Sequence, residues 1–373
     1  MKINRAAQIA AALKITEALI ERAATGFPVE ESRSSRDRWN LRDVLHHISE
    51  WIDYSHSRLR AILDGGDIVE VGDLESFNRA AWDRGAALSR VEAGAACIAA
   101  LKKYALLLRE FPESDFERKD LPTGFSFELW RYMLLDSLVH PVQHLLYHAA
   151  TRGDFSFARF ALHEAGETLL AFSGGKADSF DLFEFASDPA ELREAVFAFG
   201  AACPGDEYAR VLVQRHCGSL YPALRRQFSL SFAMLRNLVE HSPAAVWDEK
   251  AGGFVYWQQL LHALSGVSCW LRRGDEPFRD PFAEKRLYPE LDGEPESMLT
   301  REELLLFLEE ADETAGRFVF GGNDAWLAEK PVADSRYTNL ELLGMQIRHV
   351  MYHVGHCESI LRECGFPTGA WED

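Results

Sequence analysis

Apolar residues recur at steps of three and four along most of the chain, which is the spacing that places them on one face of an α-helix. This pattern predicts helices over residues 5–23, 41–63, 90–110, 128–150, 156–172, 190–202, 206–240, 256–272, 301–317 and 339–364. Strand-like alternation occurs only in the segment SFDLFEF, at residues 179–185. The hydrophobic pattern therefore predicts an all-α protein.

Local signals support the predicted helix bounds. Asn40 stands where a side chain can cap the helix over 41–63, and Thr300 and Glu303 have the spacing of a capping box. Polar segments with proline and glycine lie between the helices, as in FPESDFERKDLPTG and RRGDEPFRDPF. These segments are predicted to be loops.

The two halves of the chain carry similar helices in the same order. Each half has a tryptophan-bearing helix with a histidine, WNLRDVLHHISEW and VYWQQLLHALSGVSCW, and a later helix with a His-x-x-x-His pair. The pairs His144/His148 and His349/His353 are 205 residues apart, whereas the histidines of the tryptophan-bearing helices are 215 apart. A duplicated unit with a difference in loop length accounts for both offsets.

A chain of 373 residues is longer than the roughly 250–300 residues at which a single core stops growing, so two domains are expected. We place these domains at residues 1–155 and 215–373. Residues 156–214, which contain the glycine-bearing segments FSGGKADS and ACPGDE, are predicted to form a helical linker or extension. The halves are expected to pack as an intramolecular pseudo-dimer, and the sequence is also compatible with a homo-oligomer.

The composition narrows the classes of partner. Hydrophobic residues make up 47% of the chain, and 58 acidic against 40 basic residues give a formal net charge of −18. A protein that binds nucleic acid or an anionic membrane needs a concentrated basic face, and the sequence contains no basic cluster. We therefore expect a small-molecule substrate, with no nucleic-acid and no membrane partner.

The sequence also favours a cytoplasmic location. No apolar run approaches the ~18 residues that a membrane span needs. The N-terminal segment is typical of an amphipathic helix rather than a signal peptide, because Lys14 and Glu17 interrupt its apolar run. The six cysteines are scattered without a CxxC pair, which is the distribution expected of reduced thiols.

The spacing of the histidines indicates candidate metal sites. Residues four apart on a helix differ by about 40° in direction and lie about 6 Å apart, so two imidazoles can converge on one ion. His349 and His353 meet this requirement in the second half. A third protein ligand from another helix would complete an open metal site, and His262 is the candidate.

The first half offers two overlapping pairs, because His140, His144 and His148 follow one another at four-residue steps. Pro141 removes a backbone donor, which suggests that His140 lies near a helix start or a kink. A tyrosine also precedes the last histidine in both halves. We therefore predict His144 and His148 as the metal-binding pair, with His47 as the third ligand.

Alternatives to these assignments follow from the same residues. With 13 histidines in 373 residues, chance gives roughly half a pair at four-residue spacing, so core histidines with hydrogen-bond partners are the competing interpretation. His46 is an alternative to its neighbour His47. His140 and His356 are interpreted as neighbours of the ligands. Three histidines suit zinc, nickel, iron(II) or copper and do not select among them.

These residues resemble the DinB-like (YfiT-like) metalloproteins, whose pattern is a histidine on the second helix and a later motif often written HxxYHRGQ. The segment HVMYHVGH, at 349–356, is similar to that motif, with His356 where the family usually has glutamine. LLHALSGVSCWL matches the second helix, and WNLRDVLHHISEW is also similar to the ClbS/DfsB-like branch of the superfamily. HLLYHAATRG lacks the family's continuation after the second histidine.

The resemblance implies two tandem up-and-down four-helix-bundle (DinB-like) domains, each with three histidines around a divalent metal. Zinc or nickel is expected first, with iron as a further option. It also implies a low-molecular-weight thiol as a cofactor. The metal would activate this thiol, or water, to attack a small electrophile, as in an S-transferase or a hydrolase of detoxification or stress response. The metal ligands so implied are His262, His349 and His353, and His47, His144 and His148.

The competing function is non-catalytic. A duplicated helical scaffold whose histidines hold a structural metal, or are vestigial, could bind a small molecule without turning it over. The motifs indicate that the C-terminal half has the clearer metal site. The residues leave open whether the protein is an enzyme, and no side chain is assigned a catalytic role.

Overall fold

The computed structural model describes residues 4–26, 39–172, 183, 189–251, 253–274, 276–332 and 335–369. Helices account for most of these residues, which confirms the all-α prediction. Apart from Phe183, the strand candidate at 179–185 lies outside the described residues. None of the described helices combines the length and the apolar character needed to cross a membrane.

The chain divides into two compact units, Met1–Ala209 and Arg210–Asp373. We call them the N-terminal unit and the C-terminal unit. Residues 156–209, which the sequence assigns to a linker or extension, belong to the N-terminal unit. The division therefore falls a few residues before the predicted start of the second domain at 215.

The N-terminal unit is built from eight described helices: α1 (Arg5–Gly26), α2 (Leu41–Asp64), α3 (Leu74–Gly85), α4 (Arg90–Leu107), α5 (Leu129–Leu134), α6 (His140–Thr151), α7 (Phe155–Phe172) and α8 (Pro189–Ala202). Short 3₁₀ turns occupy Leu108–Glu110 and Glu113–Asp115. Between α5 and α6, Leu135–Val139 forms a π-helical segment, so helical backbone runs unbroken over 129–151. We call this stretch the α5–α6 rod.

Four helical elements pack in a closed order in this unit. Helix α1 contacts α4, α4 contacts α2, and both α1 and α2 contact the α5–α6 rod. Buried apolar residues from all four elements fill the space between them. Helices α7 and α8 cover α6 from outside this set. The extension after residue 155 therefore packs on α6, and α7 also contacts α1.

Capping explains where α2 begins. The Asn40 side chain accepts a hydrogen bond from the Asp43 amide, and the Asp43 carboxylate accepts one from the Asn40 amide, at 3.1 Å each. This reciprocal arrangement satisfies amides that have no partner within the first turn. The predicted cap at Asn40 is confirmed, and it fixes the helix on which His47 lies.

Helix α9 (Glu207–His216) spans the division, and the C-terminal unit continues with α10 (Leu220–His241), α11 (Ala244–Trp247), α12 (Tyr256–Trp270), α13 (Arg301–Val319), α14 (Asp324–Leu327) and α15 (Asn339–Glu363). Two short strands, β1 (Lys250–Ala251) and β2 (Phe254–Val255), pair antiparallel before α12. A 3₁₀ turn occupies Ala283–Lys285. Helix α10 contacts α13 and α15, and α12 contacts the same two helices. This order matches that of α1, α4, α2 and the α5–α6 rod.

The prediction of one helix over 206–240 is wrong, because the chain breaks between α9 and α10. Gly218 adopts a φ of +87°, which favours glycine. The Asp324 carboxylate then accepts hydrogen bonds from the amides of Ser219, at 3.0 Å, and Tyr221, at 2.7 Å. A residue more than a hundred positions away thus caps α10, and local periodicity carries no trace of it.

Candidate metal centres

Three histidines of the C-terminal unit, one from α12 and two from α15, come together in the structure. His262, His349 and His353 each offer a ring nitrogen, and these nitrogens lie within 4.8 Å of one another. The Nε2 atoms of His262 and His349 are 3.0 Å apart. We call this group the C-terminal centre. It contains the three residues that the sequence selects in this half.

Hydrogen bonds orient two of these rings. Nδ1 of His262 lies 2.6 Å from the carbonyl oxygen of Pro289, which can only accept, so Nδ1 carries the proton. Nδ1 of His349 lies 3.4 Å from Oε1 of Gln346, one turn earlier on α15. In the neutral rings these bonds leave Nε2 unprotonated, as metal ligation requires.

The loop that supplies the Pro289 carbonyl is itself held in place from α12. Nε2 of Gln258, a buried residue one turn before His262, donates to the carbonyl oxygens of Leu287 and Tyr288, at 3.1 and 3.0 Å. Tyr288 has a φ of +50°, in the left-handed region that costs energy for residues other than glycine. Gln258 thus stabilises a strained loop that orients His262.

Burial keeps two imidazoles of this centre, those of His349 and His353, neutral. It lowers the pKa of His349 to about 4 and that of His353 to about 3, and repulsion from a charged His262 ring adds to both shifts. Both rings are therefore unprotonated at pH 7. A neutral ring has the lone pair that a metal ion needs.

Gly266 allows α12 to approach His349 closely. A Cβ atom at this position would lie less than 3.0 Å from Cε1 and Nδ1 of the His349 ring. A side chain at position 266 would therefore move the ring away from His262. The glycine is one helical turn after His262, so it shapes the centre directly.

We expect Gly266→Ala to weaken zinc binding at the C-terminal centre about 10- to 100-fold, the loss typical when a ligating histidine is misoriented. Competition with a chromophoric chelator measures this affinity. Gly344→Ala on α15 is the matched control, since a Cβ there meets nothing within 4 Å. Both changes improve helix propensity by up to about 1 kcal/mol. Urea denaturation of the metal-free variants checks that the overlap with the His349 ring does not unfold Gly266→Ala. Equal affinities in the two variants would show that Gly266 has no such role.

The N-terminal unit holds a second group of three histidines. His47 of α2 and the pair His140 and His144 of α6 offer ring nitrogens within 4.8 Å of one another. Nε2 of His144 lies 3.3 Å from Nε2 of His47 and 3.0 Å from Nε2 of His140. We call this group the N-terminal centre. Its two His-bearing elements, α2 and the α5–α6 rod, correspond in packing order to α12 and α15.

The structure brings His140, rather than His148, to His47 and His144. Nδ1 of His148 instead lies 3.1 Å from a guanidinium nitrogen of Arg152, and burial lowers the His148 pKa to about 3. The π-helical segment immediately before His140 widens the helix by one residue and decides which face of α6 meets α2. Of the two overlapping pairs, the structure therefore groups His140 and His144 with His47, and not the predicted His144 and His148.

The offset between the grouped histidine pairs also differs from the one that the sequence predicts. His349 and His353 are 209 residues after His140 and His144, rather than 205 after His144 and His148. The tyrosine before His353 therefore precedes a member of a centre, whereas the tyrosine before His148 does not. Pro141 follows the first residue of α6, in agreement with the predicted helix start or kink at His140.

Glu191 of α8 is a functional candidate that the sequence did not reveal. Its carboxylate lies 2.9 Å from Nδ1 of His144 and also accepts a hydrogen bond of 2.9 Å from Gln143. A carboxylate can only accept in its ionised form, so His144 Nδ1 donates and Nε2 faces the other two histidines. No spacing connects Glu191 with a histidine 47 residues earlier.

His46, the alternative to His47 as a ligand, lies beside the N-terminal centre. His46 neighbours Gly85, where an added Cβ would clash with its ring, and its Nε2 is 3.7 Å from Glu50. His47 itself packs edge-on against Trp39 and Trp51, with ring centroids 5.0 and 6.3 Å away. His47, and not His46, therefore faces the other histidines.

A partly buried carboxyl group lies one helical turn before His140. Asp136, in the π-helical segment, accepts a hydrogen bond of 2.6 Å from Ser55 of α2. Burial raises the Asp136 pKa to about 7, although hydrogen bonds from Ser55 and Tyr132 and the charge of Arg58 oppose the shift. The Tyr104 hydroxyl of α4 lies 3.5 Å from Ser55 and completes the cluster.

The raised pKa makes stability depend on pH. Between about pH 4 and pH 7 the unfolded chain releases the Asp136 proton while the folded protein keeps it, so stability falls as the pH rises through this window. Asp136→Asn cannot ionise. We expect its free energy of unfolding, relative to wild type, to rise by up to about 4 kcal/mol between pH 4 and pH 8.

Urea denaturation across this pH range measures the effect. Asp53→Asn, which changes an exposed carboxylate on α2 that pairs with Lys103, is the control and should follow the wild-type curve. An Asp136→Asn curve that runs parallel to wild type would contradict the prediction.

Comparison with known proteins gives no match, whether with family models, curated proteins or solved structures. The resemblance to the DinB-like family therefore stays a prediction from short motifs. Two groups of three histidines that could hold a metal ion are present among the described residues. Any function assigned to the protein must account for both.

Proposed function

We propose that the protein is a divalent-metal-dependent enzyme of the DinB-like class, in which the C-terminal centre activates a thiol or water to attack a small electrophile. The observation that carries this proposal is the pair of Nε2 atoms of His262 and His349, which face each other at 3.0 Å. Both rings direct their Nδ1 protons to other acceptors. Two unprotonated nitrogens repel each other at this distance unless a cation lies between them.

The geometry of the donors fits a metal ion. Zinc–nitrogen bonds of about 2.05 Å in a tetrahedral site place the ligand nitrogens about 3.3 Å apart. The two closest nitrogens of the C-terminal centre are 3.0 Å apart, and those of the N-terminal centre are 3.0 and 3.3 Å apart. Neutral imidazoles suit zinc, nickel or iron(II). The ligand nitrogens and the distances between them therefore support a divalent metal ion, and they fit more than one such ion equally well.

Partial exposure of the C-terminal centre supports a catalytic role. His262 and His349 are partly exposed, whereas His353 is buried. Three protein ligands leave a coordination position for a small molecule, which a structural four-ligand site does not. A metal in such a site lowers the pKa of a bound thiol or water and so supplies the nucleophile. The chain's own part is to orient His262 through Pro289 and to keep the other rings neutral.

The packing order supports a tandem duplication of four-helix bundles. In each unit the helix that supplies one histidine to the centre, α2 or α12, lies against the element that supplies two. The first also contacts both remaining helices of the set, and the second contacts one of them, α1 or α10. Up-and-down bundles place metal ligands on facing helices in this way. The offsets between corresponding histidines, 215 and 209 residues, differ because the helices and the connections between them differ in length in the two units.

Cobalt substitution tests the proposed function without knowledge of the substrate. We expect Co²⁺-loaded protein to develop a thiolate-to-metal charge-transfer band when a low-molecular-weight thiol such as glutathione is added. His349→Ala should lose the band, and metal-loaded wild type should accelerate conjugation or hydrolysis of model electrophiles. A Co²⁺-loaded protein with neither a thiol band nor any turnover would favour the non-catalytic scaffold.

A further inference from the structure

We infer that the two centres divide their roles: the N-terminal centre holds its metal more tightly and releases it slowly, and the C-terminal centre exchanges ligands around a more reactive metal. This inference rests on the proposed function, since it requires that both centres bind a metal. It is carried by two differences between the centres. The first is the charge of the groups that accept hydrogen bonds from the ligating rings, and the second is how far these rings are buried.

The N-terminal centre has an anionic group behind one of its ligands. The Glu191 carboxylate accepts the Nδ1 proton of His144 at 2.9 Å, and Gln143 holds the same carboxylate at 2.9 Å. A carboxylate behind a ligating histidine makes the ring a stronger donor and fixes its orientation. Losing such a group typically costs about 10- to 100-fold in metal affinity. Glu191 is therefore a positioning residue for this centre.

In the C-terminal centre the Nδ1 atoms of His262 and His349 face neutral acceptors only. His262 donates to the carbonyl oxygen of Pro289, and His349 lies 3.4 Å from the amide oxygen of Gln346, a long contact. Neutral acceptors donate less charge through the imidazole than a carboxylate does. A metal held in this centre keeps more of its positive charge available for a substrate atom.

The ligand rings of the N-terminal centre are also more buried than those of the C-terminal centre. His47 and His140 are only 5% and 8% exposed, and the Trp51 ring packs against both at 6.3 and 6.0 Å. The third ligand, His144, has a side chain that is 18% exposed, so only one of the three rings in the N-terminal centre is accessible to a chelator. In the C-terminal centre two of the three rings are partly exposed, so water or a chelator reaches the ligands directly.

Single-centre variants test the division. His353→Ala leaves only the N-terminal centre able to bind zinc, and His140→Ala leaves only the C-terminal centre. We expect the N-terminal centre to bind zinc at least about 10-fold more tightly in competition with a chromophoric chelator. Excess EDTA should also remove zinc from the wild-type protein in two phases, one equivalent fast and one slow.

Glu191→Gln isolates the contribution of the carboxylate. In the His353→Ala background it should lower the zinc affinity of the N-terminal centre about 10- to 100-fold. In the His140→Ala background it should leave the C-terminal centre unchanged, which controls for general effects on folding. Circular dichroism confirms that each variant is folded, and the two-phase release from wild type needs no variant.

Different results would overturn the division of roles and the proposed metal enzyme. Equal affinities of the two centres, single-phase release from wild type, or an unchanged affinity in Glu191→Gln would overturn the division of roles while leaving the metal enzyme intact. Failure of every form to bind zinc, nickel, cobalt or iron(II) would overturn both.

Discussion

His140→Ala is expected to remove one equivalent of bound metal from the protein, whereas His148→Ala leaves the metal content unchanged. His140 offers its Nε2 to the N-terminal centre, 3.0 Å from that of His144. His148 instead lies against Arg152. Protein zinc sites have apparent binding free energies of about 10–16 kcal/mol, so losing one of three ligands costs roughly 4 kcal/mol, or about 10³-fold in affinity.

Elemental analysis after dialysis against a weak chelator measures this difference. The two variants are matched, because both replace a buried histidine of α6 by alanine. Loss of metal in His148→Ala together with retention in His140→Ala would restore the pair that sequence spacing selects. That result would also require a helix register different from the one that the π-helical segment produces.

His353→Ala is expected to remove the metal of the C-terminal unit, and His356→Ala to retain it. The His353 ring lies 4.6 Å from that of His262 and 4.9 Å from that of His349, between centroids. His356 lies three residues further along α15, outside the C-terminal centre. We expect an affinity loss of about 10³-fold for the first variant and less than about 3-fold for the second.

A doubly substituted protein sharpens this second prediction. His140→Ala combined with His353→Ala should contain no tightly bound metal, whereas each single variant should keep one equivalent. Retention of a full equivalent in the double variant would mean that neither centre is the metal site. Thermal unfolding with and without zinc checks that a low metal content does not result from misfolding.

The C-terminal centre could be predicted from the sequence, while the N-terminal centre could be predicted only in part. His349 and His353 are the only pair at four-residue spacing in their helix, so local helical geometry selects them without competition. In α6 three histidines at four-residue steps form two equally regular pairs. Periodicity cannot choose between them, because the choice depends on which face of α6 packs against α2.

The π-helical segment at Leu135–Val139 illustrates this limit. It shifts the direction of every later side chain relative to the preceding turn, and it places Asp136 against Ser55 and His140 against His47. The sequence there is an ordinary amphipathic helix pattern, and Pro141 is its only irregular residue. Packing of the rod against α1 and α2 determines how the extra residue is accommodated.

The sequence by itself determined the all-α class, most helix bounds, the repeated order of helices and the histidines that could meet. These properties depend on contacts between residues a few positions apart, and apolar spacing and capping residues record such contacts directly. Only the tertiary structure decided that Asp324 caps α10, that Glu191 orients His144 and that His140, rather than His148, lies with His47 and His144. Each of these depends on residues distant in the chain, whose meeting is set by how whole helices pack.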